Sequence, residues 1–315
     1  MSLGKVPAQM HAAQQALAAT ILPTQRWPLA GRGPMQETDS MQRSNTTLPG
    51  SGAGQRGERL MWLTHQRVFY AGLLGAAAER TMGGYGVYVS PAGAPPNRLR
   101  IGGGAWQTGA LFVVPPQVPH RVESAHPLIF NLLIESESVD PSRLPGYLQH
   151  CGPVDAPVFV QRMRDAHTHL LALSGRQSFE GLEFDRLFFG EDLAPRALDP
   201  RIRKVIDAIN ADPAAPTSAE DCAASVHLSF SRFLHLFKQE TGTAFRAFRA
   251  WKRARSLLRY VRQTSTLTDI ALDTGYPDST HFSHSIRQVY GLKPSDIVAG
   301  SRRLALHDAA GGYRQ

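Results

Sequence analysis

Two stretches of this sequence, 222–242 and 270–291, carry similar side chains in similar order. In the first, Ser231, Arg232, Leu234, His235 and Lys238 alternate with the apolar Phe233, Leu236 and Phe237; in the second, Thr280, His281, Ser283, His284 and Arg287 alternate with Phe282, Ile286 and Val289. At the helical period each apolar set falls on one side and each polar set on the other. Hydroxyls and imidazoles hydrogen-bond base edges, a leucine packs on a thymine methyl, and a cation one turn further on meets a phosphate. Arg232 is assigned mainly to the backbone of the nucleic acid. The chemistry these residues offer is recognition of a duplex, although His235 or His284 taken singly also reads as a solvated surface residue.

The elements that must hold these faces repeat as well. Cys222 superposes on Ile270, Ala223 on Ala271 and His227 on Gly275 at an offset of 48; beyond one extra residue the offset is 49, with Phe233 on Phe282, His235 on His284, Lys238 on Arg287 and Gly242 on Gly291. Each copy predicts a short helix with an inward alanine, a turn of about four residues and a second helix, the pattern of a helix-turn-helix. Ser218 is a candidate cap for the first short helix and Thr266 or Thr268 for the second. Gly275 supplies positive φ at its turn, where His227 would be strained. Between the copies, residues 245–263 predict one long helix bearing seven basic side chains, anchored by Phe248, Trp251, Leu257, Leu258 and Val261.

Over about 200–302 the chain resembles the DNA-binding domain of the AraC/XylS family of bacterial transcription regulators. Ala271, Gly275, Tyr276, Phe282, Ile286, Tyr290, Gly291 and Pro294 fall on the family's characteristic positions, as do Ala223, Leu228, Ser229, Phe233, Phe237 and Thr241–Gly242 in the first copy. Cys222, Phe230 and His227 depart from the pattern. The resemblance implies that the two second helices enter successive major grooves of double-stranded DNA from a single subunit.

The rest of the sequence is consistent with a regulator of several parts. Its 315 residues exceed one ordinary domain. No run of apolar residues is long enough for a membrane helix, and the first residues lack the apolar core of a secretory signal, so a cytoplasmic, nucleoid-associated protein that does not engage a membrane is expected. Cys151 and Cys222 are too few for a disulfide framework. Residues 201–315 hold 17 Lys/Arg against 10 Asp/Glu, whereas 1–200 are nearly balanced at 17 against 16. A basic domain beside a neutral one points to a polyanion.

Residues 1–57 read as a flexible tail. Over 58–145 the runs VFYAGLL, YGVYV, ALFVV and LIFNLLI, separated by Gly and Pro, predict a β unit. Helices follow over 146–198, with Val160, Met163, His167, Leu170 and Leu171 sharing one face and a second segment at 178–189; they are candidates for a homodimer interface or for simple packing on the β unit. The DNA-binding segment then occupies 199–302 and a short tail 303–315. The predicted fold class is multidomain α and β: a cupin-like β-barrel with trailing helices, then an all-α domain of two helix-turn-helix units joined by a linker helix.

GALFVVPPQVPHRVES at 109–124 resembles the second half of a cupin barrel, where His120 would be a metal ligand. The strand pair at 84–101 holds no His or Glu, so neither metal nor cofactor is expected, and His120 reads as a pocket or structural residue. Tyr88, Trp106, His120 and Phe130 are the candidate pocket for a small-molecule effector, and RNA polymerase is a candidate partner. Two alternatives stand beside this regulator: a cupin-type metal-dependent enzyme with an accessory helical domain, and an architectural protein that binds nucleic acid without sequence preference.

Overall fold

The structure is a computed structural model that describes residues 59–72, 78–174, 179, 181–261, 263, 265–301 and 305–308. The tail predicted over 1–57 lies outside them. In chain order the strands are β1 (Leu60–Leu63), β2 (Arg67–Gly72), β3 (Tyr85–Val89), β4 (Asn97–Ile101), β5 (Gln107–Gly109), β6 (Leu111–Val114), β7 (His120–Glu123), β8 (Ile129–Ile134), β9 (Gly152–Pro153) and β10 (Ala305–Asp308). They form a seven-stranded sheet, β10-β1-β2-β8-β3-β6-β9, and a three-stranded sheet, β5-β4-β7. The four apolar runs read from the sequence are β2, β3, β6 and β8, which sit together in the larger sheet.

Side chains alternate across that sheet with the period of a strand. Trp62, Phe69, Val87, Val113, Phe130 and Leu132 face helices α1 (Pro157–Ser174) and α2 (Phe184–Phe189). Met61, Val68, Tyr88, Phe112, Ile129 and Leu133 face the other way and share a core with Leu99 and Val122 of the small sheet. The coarse prediction, a β domain followed by a helical one, therefore stands. A closed barrel does not: among the described residues one isolated bridge, Arg80 to His120, joins the larger sheet's β2–β3 connection to the small sheet. Pro115, Pro116 and Pro119 lie in the connection between β6 and β7 and offer no backbone donor.

Helix α1 buries Val160, Met163, His167 and Leu170 as the periodicity predicts, with Leu171 half-buried. The second segment starts at Phe184 rather than 178, because Gly181 has φ +82 and Glu183 is extended. Six helices complete the carboxyl-terminal part: α3 (Pro200–Ala211), α4 (Ala219–Ser225), α5 (Phe230–Thr241), α6 (Phe245–Ser256), α7 (Leu267–Asp273) and α8 (Ser279–Tyr290), with α9 (Pro294–Ser301) after them. Ile202, Val205, Ile206 and Ile209 are the buried stripe of α3.

The long linker helix predicted over 245–263 is shorter. It ends at Ser256 and tightens into a 3-10 turn over Leu257–Arg259. Leu257, Leu258 and Val261 all reach the core. Residues assigned only to a tail continue the larger sheet: β10 pairs in parallel with β1, Leu60 opposite Ala305. Among the described residues no helix is long and apolar enough to cross a membrane.

Candidate nucleic-acid interface

Each unit is held by local chemistry at its helix ends. Ser218 caps α4 by accepting from Asp221 N at 3.0 Å, while the Asp221 carboxylate accepts from Ser218 N at 3.0 Å. Thr266 and Asp269 make the same reciprocal box at α7, which decides between the two threonines. The turns that follow place His227 at φ +55 and Gly275 at φ +78, as the internal repeat predicts. The second helices have caps that sequence reading passed over. Ser229 accepts from Arg232 N, and Asp278 accepts from Thr280 N at 2.8 Å and His281 N at 2.9 Å. A Ser or Asp just before an amphipathic run was the available signal.

Inside the first unit Phe233 and Phe237 of α5 pack on Phe245 and Phe248 of α6 and on the α3 stripe. Inside the second, Ile270, Ala271, Tyr276, Phe282 and Ile286 close the corresponding core. With those faces buried, the ten sequence-derived contact residues come to the surface. Ser231, Arg232, His235, Lys238, Thr280, His281, His284 and Arg287 are exposed, and Leu234 and Ser283 are half-buried. His281 is tied back, its Nδ1 2.8 Å from the carboxylate of Asp278.

Helix α6 joins two cores. Its first half, Phe245 and Phe248, belongs to the first unit, whereas Trp251, Ala254 and the following Leu257 belong to the core shared by the sheets and the second unit. Of the basic side chains expected along it, Arg249, Lys252 and Arg255 are buried. The Lys252 ammonium donates to Glu135 Oε2 at 2.7 Å and also to Glu137, Trp251 Nε1 donates to Glu135 Oε2 at 2.8 Å, and Arg255 Nε lies 3.2 Å from Glu135 Oε1.

Burial acts on every member of this cluster. It would raise the Glu135 carboxyl, but Lys252 and Arg255 outweigh it and hold Glu135 below the usual carboxylate range. Burial keeps Glu137 above that range despite Lys252, and Lys252 itself stays above its ordinary value because two carboxylates outweigh its desolvation. A further bond runs from Thr81 N to Gln288 O at 2.9 Å, at the last turn of α8. None of these contacts was read from the sequence, where Glu135 and Glu137 look like ordinary loop acids.

Within the β domain two of the four candidate pocket residues meet. Tyr88 Oη is 2.8 Å from His120 Nε2, and His120 Nδ1 is 2.8 Å from Val118 O. Burial pushes the imidazole down to about 4, so it is neutral, accepting from the tyrosine and donating to the carbonyl. The other two are elsewhere. Trp106 lies by the small sheet beneath the guanidinium groups of Arg98 and Arg100, 4.9 and 5.1 Å from its ring. Phe130 points to the opposite side of the larger sheet, 4.5 Å from His167. Strand parity explains it: Tyr88 stands opposite Asn131, so its neighbour Phe130 faces away. Among the described residues no group of three His, Cys, Asp or Glu is placed to hold a metal ion.

The carboxyl-terminal part thus holds two helix-turn-helix units, each with an exposed polar face on its second helix. Residues 222–299 match the family model described as a helix-turn-helix domain. No curated protein sequence matches the chain. Among solved structures, apo ToxT from Vibrio cholerae, in a substituted form, is 12% identical, with 75% of this chain and 97% of that chain covered at a TM-score of 0.51. An AraC-type DNA-binding-domain protein from Chromobacterium violaceum is 24% identical over 36% of this chain and 96% of its own, with a TM-score of 0.31. The DNA-binding domain of AdpA, in complex with a target DNA, is 18% identical over 33% of this chain and 95% of its own, with a TM-score of 0.32. The carboxyl-terminal part of the chain contains a helix-turn-helix domain.

Proposed function

We propose that the chain reads a two-part operator with α5 and α8 in successive major grooves, and that an effector held between the two sheets sets how well it does so. The observation that carries this reading is the division of α6. One helix belongs at its start to the first reading unit and at its end to the core that the second unit shares with the sheets, so a change between the sheets is mechanically connected to the spacing of the two units. Ser231, Leu234, His235, Thr280, His281, Ser283 and His284 take base edges, and Arg232, Lys238 and Arg287 take phosphates. Tyr88 and His120 are the polar anchor of the effector site in what is a cupin-like, open arrangement of strands.

In this proposal residues 58–145 are the sensor, 146–198 the helical connection and 199–302 the reading domain, with homodimerisation through α1 and α2 and contact with RNA polymerase as further elements. An effector acts only to the extent that it binds one arrangement better than the other. A genome-wide binding map with and without candidate metabolites tests the whole: operators that share two motifs about one helical turn apart support it, and an occupancy that follows genomic DNA without motif favours the architectural alternative. Metabolites that leave occupancy unchanged remove the effector.

A further inference from the structure

Phe230 is the first residue of α5 and remains 46% exposed, one of three large apolar side chains so placed among the described residues. It does not join the first unit's core, whereas Leu234, one turn further along the same row, packs at that core's margin. Residues four apart stack along a helix, so Phe230, Leu234 and Lys238 make one ridge ending in a cation. The internal repeat supplies the comparison. At the offset of 49 the equivalent ridge on α8 is Ser279, Ser283 and Arg287. Two helices of equal length, each with a polar cap before it and a cation at the end of the ridge, thus differ by an apolar pair against a hydroxyl pair.

An exposed phenyl ring at the start of a helix gains nothing from water, and the first turn of a reading helix is the part that reaches deepest among base edges. In the major groove the apolar feature of a base pair is the 5-methyl group of thymine. We propose that Phe230, with Leu234, reads thymine methyl groups in the half-site bound by α5, while α8 reads its half-site through hydroxyls and imidazoles. The two reading units are therefore different in kind. This rests on the proposed placement of α5 in a major groove.

The test uses the full chain and a duplex selected by it from a random pool. Hydroxyl-radical footprinting first establishes two protected stretches; a single stretch would overturn the groove placement and this assignment with it. Thymines are then replaced by uracil, which removes only the methyl, in one half-site at a time. Replacement in the α5 half-site is expected to weaken binding by about fourfold for each methyl uncovered, the worth of one buried carbon. Replacement in the other half-site leaves affinity unchanged. In Phe230→Ser and Phe230→Ala, whose ring is exposed and whose removal leaves the core intact, the penalty for uracil shrinks toward unity. Two protected stretches with equal affinity for thymine and uracil in the α5 half-site, or a uracil penalty that persists undiminished in both variants, would overturn the assignment while leaving the two-groove reading in place.

Discussion

Lys252 Nζ lies 2.7 Å from Glu135 Oε2 and also bonds Glu137, so one ammonium on α6 holds two carboxylates that follow β8. Arg255 completes a cluster with two positive and two negative groups, closed off from water. A buried pair of this kind adds little compared with a well-packed apolar one, but removing a single partner leaves an uncompensated charge and costs about 3–5 kcal/mol. Glu135→Gln is therefore expected to lower the unfolding free energy by about 3 kcal/mol in urea denaturation. The same change at Glu123, whose bridge to Arg98 is open to solvent, costs no more than about 1 kcal/mol. Equal losses at the two positions would contradict the reading of the cluster as the joint between the sheets and α6.

His120 gives the β domain a pH dependence with a definite sign. Its folded value of about 4 lies below the ordinary 6.5 because burial opposes the charged ring. Above 6.5 both folded and unfolded chains carry it neutral, so it contributes no pH dependence there. As pH falls from 6.5 toward 4 the unfolded chain takes up a proton that the folded chain does not, and stability is lost. The full loss is about 3 kcal/mol, because each tenfold difference in proton affinity between the two states is worth about 1.4 kcal/mol. His120→Gln keeps a hydrogen-bonding side chain without the titration. Its unfolding free energy, followed from about pH 7 to about pH 4, should decline less than that of the parent by roughly this amount, and parallel curves would refute the assignment.

Within the second reading helix the proposed base and phosphate contacts separate by experiment. His284 and Arg287 are both exposed, one turn apart on α8. Arg287→Ala should weaken every sequence alike and reduce the salt dependence of binding by about one unit of slope. His284→Ala should instead relax the preference at one base pair and leave the slope unaltered. Selection from random duplexes at two salt concentrations reads both effects, and identical uniform losses would contradict the division.

The helix-turn-helix units were far more legible in the sequence than the contacts that join them to the rest of the chain. Phe233, Phe237, Phe282 and Ile286 announce their helices because helical periodicity is a local property, and the repeat doubles the signal. The four central strands were equally local, as apolar runs between Gly and Pro. What stayed hidden depends on distant partners: Glu135 finds Lys252 across 117 residues, and β10 pairs with β1 from the far end of the chain. Pocket membership failed for the same reason. Tyr88 and His120 meet across the two sheets, while Phe130 lies one residue from facing them, a parity that no run of sequence displays.

The two turns of the repeat invite opposite substitutions. Gly275 has φ +78, and a Cβ there would lie 2.6 Å from Ala214 O and 2.9 Å from Ala214 Cα. Both are main-chain atoms of the connection between α3 and α4, so the obstruction cannot rotate away. Gly275→Ala adds this clash to the ordinary cost of a left-handed residue, and a loss of about 2 kcal/mol or more is expected. His227 occupies the matching turn at φ +55 with its side chain exposed. His227→Gly removes strain of about 1–2 kcal/mol but gives the unfolded chain more freedom, which offsets about half of it. The net change is a gain of up to about 1 kcal/mol, confined to the first unit. Hydrogen exchange resolves the two: protection should rise in α4 and α5 for His227→Gly and fall in α7 and α8 for Gly275→Ala. Loss of protection in α4 and α5 on substituting glycine at 227 would mean that the histidine side chain itself holds the turn.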